Sequence, residues 1–428
     1  MKLPDFFNRK QKRRKALLEK WGKRKRFSGN LYYERQLYDF GPDVEAIDDK
    51  TAEDLDFDRF FTFTDRTSSV IGQQLLYQRL RRQDTTAAER EELETAVRFY
   101  EGKDPALVLE QLSNFKQDKD YIFPVMLYAD IPMVPQYRGF IRVMQLLAFA
   151  CILFGLNYPI LWIALVPIMV VNLILHYRLK QEMGLFVDVF TRVRDLYKIG
   201  LKLVPLSHHP ATVKAELQRH LDQLKQATKR LNFLIFDTKL NEREGANVAG
   251  YFAELVKYIT LTDVVVYYAM LQQLPELREA AASVYYGIGE IDLALSVLAL
   301  RGSLPLWSTP SLTATNSLKV AQLYHPLLAD PVSNDVNLER KGMLITGSNM
   351  SGKSTFIKTL NLNALAAQNL NTAFASSYDA PSWKLATSMN TTDDLAEGAS
   401  YYLQEVDRIG TLLSLAGQHK GRYLITID

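Results

Sequence analysis

Apolar and polar positions along the chain alternate in three different ways. Between residues 48 and 115 apolar residues recur at helical spacing, through Leu75, Leu76 and Leu80, then Leu93 and Val97, then Val108 and Leu112. This predicts a layer of packed helices. Between Arg142 and Arg178 the alternation stops: thirty-five consecutive residues contain no Asp, Glu, Lys or Arg. Asn157-Tyr158-Pro159 divides that run into Val143 to Leu156 and Ile160 to Tyr177, about 21 and 27 Å of helix. A hydrocarbon core is about 30 Å thick. The second arm nearly spans it, and the first needs bilayer thinning or snorkelling by Arg142. Neither arm has the polar stripe of a soluble helix, so residues 143–177 are expected to form a membrane hairpin, against the plainer reading of a hairpin buried in a large helical core. Arg138 and Arg142 precede it, Arg178 and Lys180 follow it, and the turn is uncharged. Both ends are therefore expected on the cytoplasmic side.

Beyond the hairpin, Val213, Leu217, Leu221, Leu224, Leu231 and Leu234 with charges between them predict a long amphipathic helix. Further helical runs are expected over roughly 248–274 and 277–300, giving a helical middle suited to act as a lever. Residues 302–316, rich in Ser, Thr and Pro, mark a boundary. After it, short apolar strands alternate with helices, the signature of a parallel α/β sheet. The expected fold class is thus multidomain. A polybasic arm and linker (1–47) precedes a helical core (48–137), a transmembrane hairpin (138–180), a second helical core or lever (181–301) and an α/β phosphate-loop domain (302–428).

Composition narrows the classes. Hydrophobic residues make up 47% and charged residues 23% of the 428, which excludes a mainly disordered or fibrous chain. A single cysteine, Cys151, excludes a disulfide framework and any multi-thiolate zinc site. The formal charge of +3 hides an asymmetry: residues 1–26 carry twelve Lys/Arg against Asp5 and Glu19, leaving 39 basic and 46 acidic residues elsewhere. The polybasic arm, 9–26, fits anionic lipid head groups, nucleic-acid phosphates or a solvated tail, and charge count alone leaves the three open.

Two segments near the C-terminal end carry chemistry. Met343-Leu344-Ile345-Thr346 reads as a buried strand and leads into Gly347-Ser348-Asn349-Met350-Ser351-Gly352-Lys353-Ser354-Thr355, with a helix expected from Phe356 to Leu370. Glycines let backbone N–H groups close around phosphates, and the following helix directs its positive end there. Lys353 supplies a point charge, Ser354 a hydroxyl ligand for Mg²⁺, and Thr355 assists at the helix start. The candidate ligand is ATP with Mg²⁺. Tyr423 to Ile427 reads as another apolar strand, ending in Asp428, an acid placed to hold Mg²⁺ through water. A following Glu would orient the attacking water. The sequence ends before it, so the domain reads as incomplete at this end and poor turnover is expected.

These residues resemble the MutS family of mismatch-repair ATPases. The loop is similar to that family's G-P-N-M-[GS]-G-K-S-T, sharing Asn349-Met350, with Ser348 in place of proline. Tyr324-His325-Pro326-Leu327-Leu328 resembles its R-H-P segment, and Asp393-Asp394-Leu395-Ala396-Glu397-Gly398-Ala399-Ser400, with Glu405, resembles its D-D-L-x-x-G-x-S stretch. Asp65-Arg66-Thr67 with Gly72, and Glu290-Ile291-Asp292 with Ser296, look like the opening and the return of its helical core. The resemblance implies ATP binding, with Lys353, Asp428 and Ser400 in catalytic roles. Ser400 would reach the γ-phosphate of a neighbouring subunit, so a homodimer through the ATPase domain is implied, and DNA is an implied partner. The family's mismatch-reading and connector domains have no counterpart before the core. Phe99-Tyr100-Glu101 imitates the mismatch-reading motif from within a helix, and the aromatic that stacks on adenine is replaced by Pro331. The expected protein is a MutS-like ATPase on the cytoplasmic face of a membrane. The alternative is a membrane phosphate-loop ATPase or nucleotide-gated scaffold without a nucleic-acid role. His208-His209-Pro210 reads as a loop before a helix, and the acidic run from Asp43 to Asp58 as a solvated helix start.

Overall fold

The computed structural model describes residues 3–27, 29–115, 121–128, 138–235, 258–315, 317–339, 342–348, 350–389, 398–418 and 422–428. It is mostly helical with small sheets. Contacts group the chain into two units, residues 1–121 with 288–428, and residues 122–287.

In the first unit, helix α1 (Leu3–Lys20) is followed by α2 (Tyr32–Phe40), α3 (Asp49–Asp54), α4 (Phe57–Thr64), α5 (Val70–Arg81), α6 (Ala87–Tyr100) and α7 (Ala106–Leu112). Local chemistry sets their starts. Asp48 accepts from the Thr51 amide at 2.6 Å and Ser69 from Gly72 at 3.0 Å, while Thr86 and Glu89 form a reciprocal capping box. The helical layer expected over 48–115 is present. Its acidic run is only partly solvated: Asp48 caps α3, but Asp54 is buried and accepts from Thr387 Oγ1 at 2.7 Å and the Met389 amide at 2.9 Å.

The segments resembling the opening and return of the MutS core meet. Asp292, fully buried, accepts from the amides of Ser68 (2.9 Å) and Ser69 (2.8 Å) and from Ser69 Oγ (2.5 Å). The Ser296 hydroxyl accepts from the Arg66 amide at 2.9 Å. A Cβ at Gly72 would stand 2.3 Å from Asp292 Oδ2, so only glycine lets α5 pass this carboxylate.

Strands β1 (Ser311–Leu312), β2 (Ser317–Leu323), β3 (Asn334–Glu339) and β4 (Ser377–Ala380) form one sheet in the order β1-β4-β2-β3. Only the β1–β4 pair is parallel. Its apolar face, with Leu318, Val320, Leu323, Val336 and Tyr378, packs on Leu360 and Ala367 of helix α13 (Lys353–Leu370). Strands β5 (Lys384–Ser388) and β6 (Tyr423–Ile427) form a separate parallel pair, and α14 (Gly398–Gln418) lies between them in sequence. The expectation of one parallel sheet is therefore corrected: among the described residues parallel pairing is confined to β1–β4 and β5–β6.

Met343 to Thr346, expected as a buried strand, is irregular, and Leu344 is 89% exposed. A parallel strand is stable only with partners beside it and cover on its faces. Among the described strands β6 pairs with β5 alone. Met343, Leu344 and Ile345 border a cavity of about 780 Å³ whose wall includes β6, so the segment lies near a strand edge without joining a ladder.

The second unit holds α8 (Phe123–Tyr128), α9 (Arg138–Gly155), α10 (Ile160–Leu203), a short 3₁₀ turn (Val204–Leu206), α11 (Ala211–Ile235) and the first part of α12 (Thr262–Ser303). The hairpin forms as expected around Asn157 to Pro159. Trp162 Nε1 donates to the Gly155 carbonyl at 3.0 Å, and Ala148, Cys151 and Leu165 pack between the arms. α10 does not stop at Tyr177 but continues to Leu203, because no Pro-Asn type break follows the apolar run. The two runs expected at 248–274 and 277–300 are joined: α12 passes through Pro275 without a break, and residues 248–257 lie outside the described ones. Among the described residues two helical stretches are long and apolar enough to cross a membrane, Ile160–Leu179 and Leu271–Ser303. The second is mostly buried by protein, as a core helix is; the first is 11% buried.

Candidate nucleotide site

The loop ahead of α13 turns through two left-handed residues, Met350 (φ +68°) and Gly352 (φ +90°). At Gly352, the residue that opens α13, an L side chain would be strained, which explains the glycine. Ser351 N–H donates to the Ser348 carbonyl at 3.2 Å. Lys353 Nζ donates to the carbonyls of Gly347 and Ser348, both at 3.0 Å. The loop is thereby folded over its own lysine at the positive end of an eighteen-residue helix.

Two distant residues singled out for Mg²⁺ are brought together: Ser354 Oγ donates to Asp428 Oδ2. Strand β6 delivers Asp428, whose amide donates to the Ser388 carbonyl at 3.0 Å. Asn361 on α13 fixes that strand from the other side through Thr426 Oγ1 at 3.1 Å. A hydroxyl and a carboxylate side by side are hard oxygen donors of the kind Mg²⁺ takes, usually with several waters retained. The donor set fits the ion, and a helix N-terminus with a lysine fits a phosphate chain. Of the other residues singled out, Asn349 and Asp393 to Glu397 lie outside the described residues. Ser400 lies in the first turn of α14, with its side chain outside them.

Beside the start of α13 lies a cavity that no sequence signal marked. Ser354, Thr355 and Lys358 of α13 border a cavity of about 800 Å³ together with Arg24, Lys25, Arg26 and Phe27 from the polybasic arm, Asp56 and Arg59 from around α4, and His325. Lys358 pairs with Asp56 at 2.7 Å. His325 Nδ1 accepts from the Leu327 amide at 3.2 Å, which leaves Nε2 to carry the proton of the neutral ring. Burial, with Lys358 nearby, pushes the ring's pKa down. The arm is held there by Lys25, which bonds Asp65 at 2.8 Å and Thr67 at 3.1 Å, and by Arg24 over the Phe63 ring. Burial alone would raise the pKa of Asp65. Lys25, with Thr67 and Gln73, brings it below the ordinary value instead. Of the three readings left open for the arm, Lys25 departs from a solvated tail, while Arg24 and Arg26 are exposed. Further out, Arg14 of α1 pairs with Glu110 at 2.9 Å.

The far end of α13 is tied to the helical layer. Asn369 accepts from Arg79 Nε at its carbonyl (2.7 Å) and from Thr85 at its side chain (2.5 Å), and its amide donates to the Arg82 carbonyl at 3.0 Å. Arg301, nearly buried at the end of α12, grips Glu94 with both terminal nitrogens (3.2 and 2.8 Å). It also donates to Thr372 Oγ1 and the Asn371 carbonyl. One helix therefore begins at the phosphate loop and ends on α5, α6 and the end of α12.

Two weaker sequence signals resolve plainly. His208, His209 and Pro210 form the loop before α11 as expected, with His209 Nε2 hydrogen-bonded to the Gly287 carbonyl at 3.1 Å. Burial, with His209 and Lys214 close by, pushes His208 down to about 3, so the ring is neutral. Phe99-Tyr100-Glu101 closes α6; Tyr100 is buried, and Lys103 sits 3.1 Å above the ring of the exposed Phe99.

Residues 343–428, which include the loop, α13, β5 and β6, match the family model MutS domain V. That domain is the ATPase-associated part of MutS-family mismatch-repair proteins, and it is this segment of the chain that is similar to it.

Proposed function

We propose that the chain is a MutS-type ATP-binding protein tethered to a membrane, with its nucleotide site at residues 347–355 and Asp428. The observation that carries this reading is the contact between Ser354 and Asp428, seventy-four residues apart, at the head of a helix whose loop turns on Gly352 inside the matched segment. Lys353 exchanges its loop carbonyls for phosphate oxygens. Loop amides and the positive end of α13 would stabilise the added negative charge, and Ser354 directly and Asp428 through water would hold Mg²⁺, which would supply charge neutralisation. Asn369, Asn371 and Arg301 then carry any shift of α13 into the helical layer. Ser400, in the first turn of α14, is the residue for a contact across a homodimer, and DNA is the polymer such a dimer would close on.

Membrane attachment draws on a separate observation. Leu146, Leu153, Ile163 and Val166 are each more than half exposed on the two arms of the hairpin, and an apolar surface of that extent calls for a non-aqueous neighbour. The cytoplasmic face follows from the cations at both ends of the hairpin, with both termini on that side. The Mg²⁺ dependence of ATP binding tests the site. Ser354→Ala with Asp428→Asn is expected to abolish the gain in ATP affinity that Mg²⁺ gives, and an undiminished gain contradicts the assignment. Salt-dependent binding of duplex DNA with and without residues 1–26 tests the polymer: binding that survives the deletion supports a core site, and complete loss places it in the arm.

A further inference from the structure

The cavity beside Ser354 and Thr355 carries more positive charge than its own acid offsets. Asp56 is already paired with Lys358, and Lys25 is committed to Asp65. That leaves Arg24, Arg26 and Arg59 on the cavity wall. Among the described residues none of these three has a carboxylate within ion-pair distance, Arg24 resting instead on the Phe63 ring. All three are exposed, and cations that share one cavity wall make it attractive to an anion. Guanidinium forks match phosphate oxygens better than any other side chain. The same cavity has an apolar side, with Phe27, Leu327 and Leu328 on its wall, and Phe27 is 46% exposed. Its volume of about 800 Å³ falls within the range of small-molecule sites.

We infer that the end of the polybasic arm is a wall of the nucleotide site. Arg26 and Arg59 clamp the phosphates of a nucleotide seated on the loop, and Phe27 covers its nucleoside. The ligand class is a nucleoside polyphosphate, and the clamp acts within one chain. Lys25 on Asp65 is the anchor that holds Arg26 and Phe27 in place, so the basic residues of the arm divide into an anchored set at the site and an outer set, such as Lys12 and Lys15, that is exposed on α1. This inference rests on the reading of residues 347–355 as a phosphate loop, and the test separates the two.

The experiment is equilibrium binding of ATP with Mg²⁺ to the full chain in detergent. The variants are Arg26→Gln with Arg59→Gln, Phe27→Ala, Lys12→Gln with Lys15→Gln, and Lys353→Ala. The double arginine variant is expected to weaken ATP binding about tenfold and to flatten its dependence on salt. Phe27→Ala is expected to weaken ATP while leaving inorganic triphosphate unchanged, and the Lys12/Lys15 variant is expected to match wild type. Wild-type affinity in the double arginine variant, with binding lost in Lys353→Ala, overturns the clamp and leaves the loop assignment standing. Unchanged affinity in Lys353→Ala removes the loop assignment itself. If the arginine variant loses binding to vesicles containing phosphatidylserine but keeps its ATP affinity, the cavity serves a lipid head group and the clamp is overturned. Circular dichroism and the thermal midpoint of each variant separate lost binding from lost folding.

Discussion

Single residues carry most of the specificity here, and Asp292 is the clearest case. Its full burial pushes the carboxyl up to about 6, although hydrogen bonds from Ser69 and Ser68 and the charge of Lys25 pull it back. The folded chain therefore holds this proton more tightly than the unfolded chain does. The stability it contributes is complete below the ordinary value of 3.8 and is lost as pH rises through about 6. Asp292→Asn should remove that step. The difference in urea midpoint between pH 4.5 and pH 7.5 is expected to shrink in the variant, and an unchanged difference contradicts the assignment. Gly72→Ala drives a methyl group into the same carboxylate and is expected to cost about 1–3 kcal/mol by chemical unfolding. The sequence singled out both positions by resemblance, yet gave no physical ground for joining them: 220 residues separate Gly72 from Asp292, and no periodicity encodes a carboxylate accepting from two amides.

Among the elements, α13 is the one that ties the phosphate loop to the helical layer. Its N-terminal Lys353 and Ser354 face the loop and Asp428, while Asn369 and Asn371 at its other end hold Arg79 and Glu94. Arg301→Gln removes the paired hydrogen bonds to Glu94, which keeps Arg98 and Asn371, and is expected to cost about 1–3 kcal/mol. Asn369→Ala is a milder cut. It should leave ATP affinity within a factor of about two while abolishing any ATP-dependent change in hydrogen exchange over α5, and a preserved change means that coupling runs elsewhere. The loop, α13 and β6 were legible because glycine spacing and short apolar runs are local signals. The strand at Met343 to Thr346 was misread for the opposite reason. An apolar run shows that a segment can be buried, whereas ladder pairing depends on neighbours that the run does not encode. The division of α12 into two runs at Pro275 was a similar error, since packing along the helix keeps it continuous through a residue that breaks isolated helices.

For the whole molecule, charge and hydrophobicity are arranged in separate zones. Basic residues gather in the first 26, an uncharged hairpin fills 143–177, and the proposed nucleotide site draws on residues between 347 and 428. Residue counts made this zoning visible. They did not reveal that Arg24 to Phe27 share a cavity with the start of α13, because the arm's contacts depend on Asp65 and Phe63 in the folded helical layer. The exposed apolar arms predict that the full chain stays with membranes after carbonate extraction. Ile163→Lys with Val166→Lys should release it, given the cost of lysine at membrane depth, and full release of the wild type would return the hairpin to a protein-covered role. The measurement closest to the centre of the account is ATP affinity with Mg²⁺ for wild type against Lys353→Ala. The account predicts saturable binding by wild type and a loss of at least about a hundredfold in the variant, the order of one charge-assisted contact to phosphate in a shielded site. Equal affinities in two equally folded proteins would contradict it.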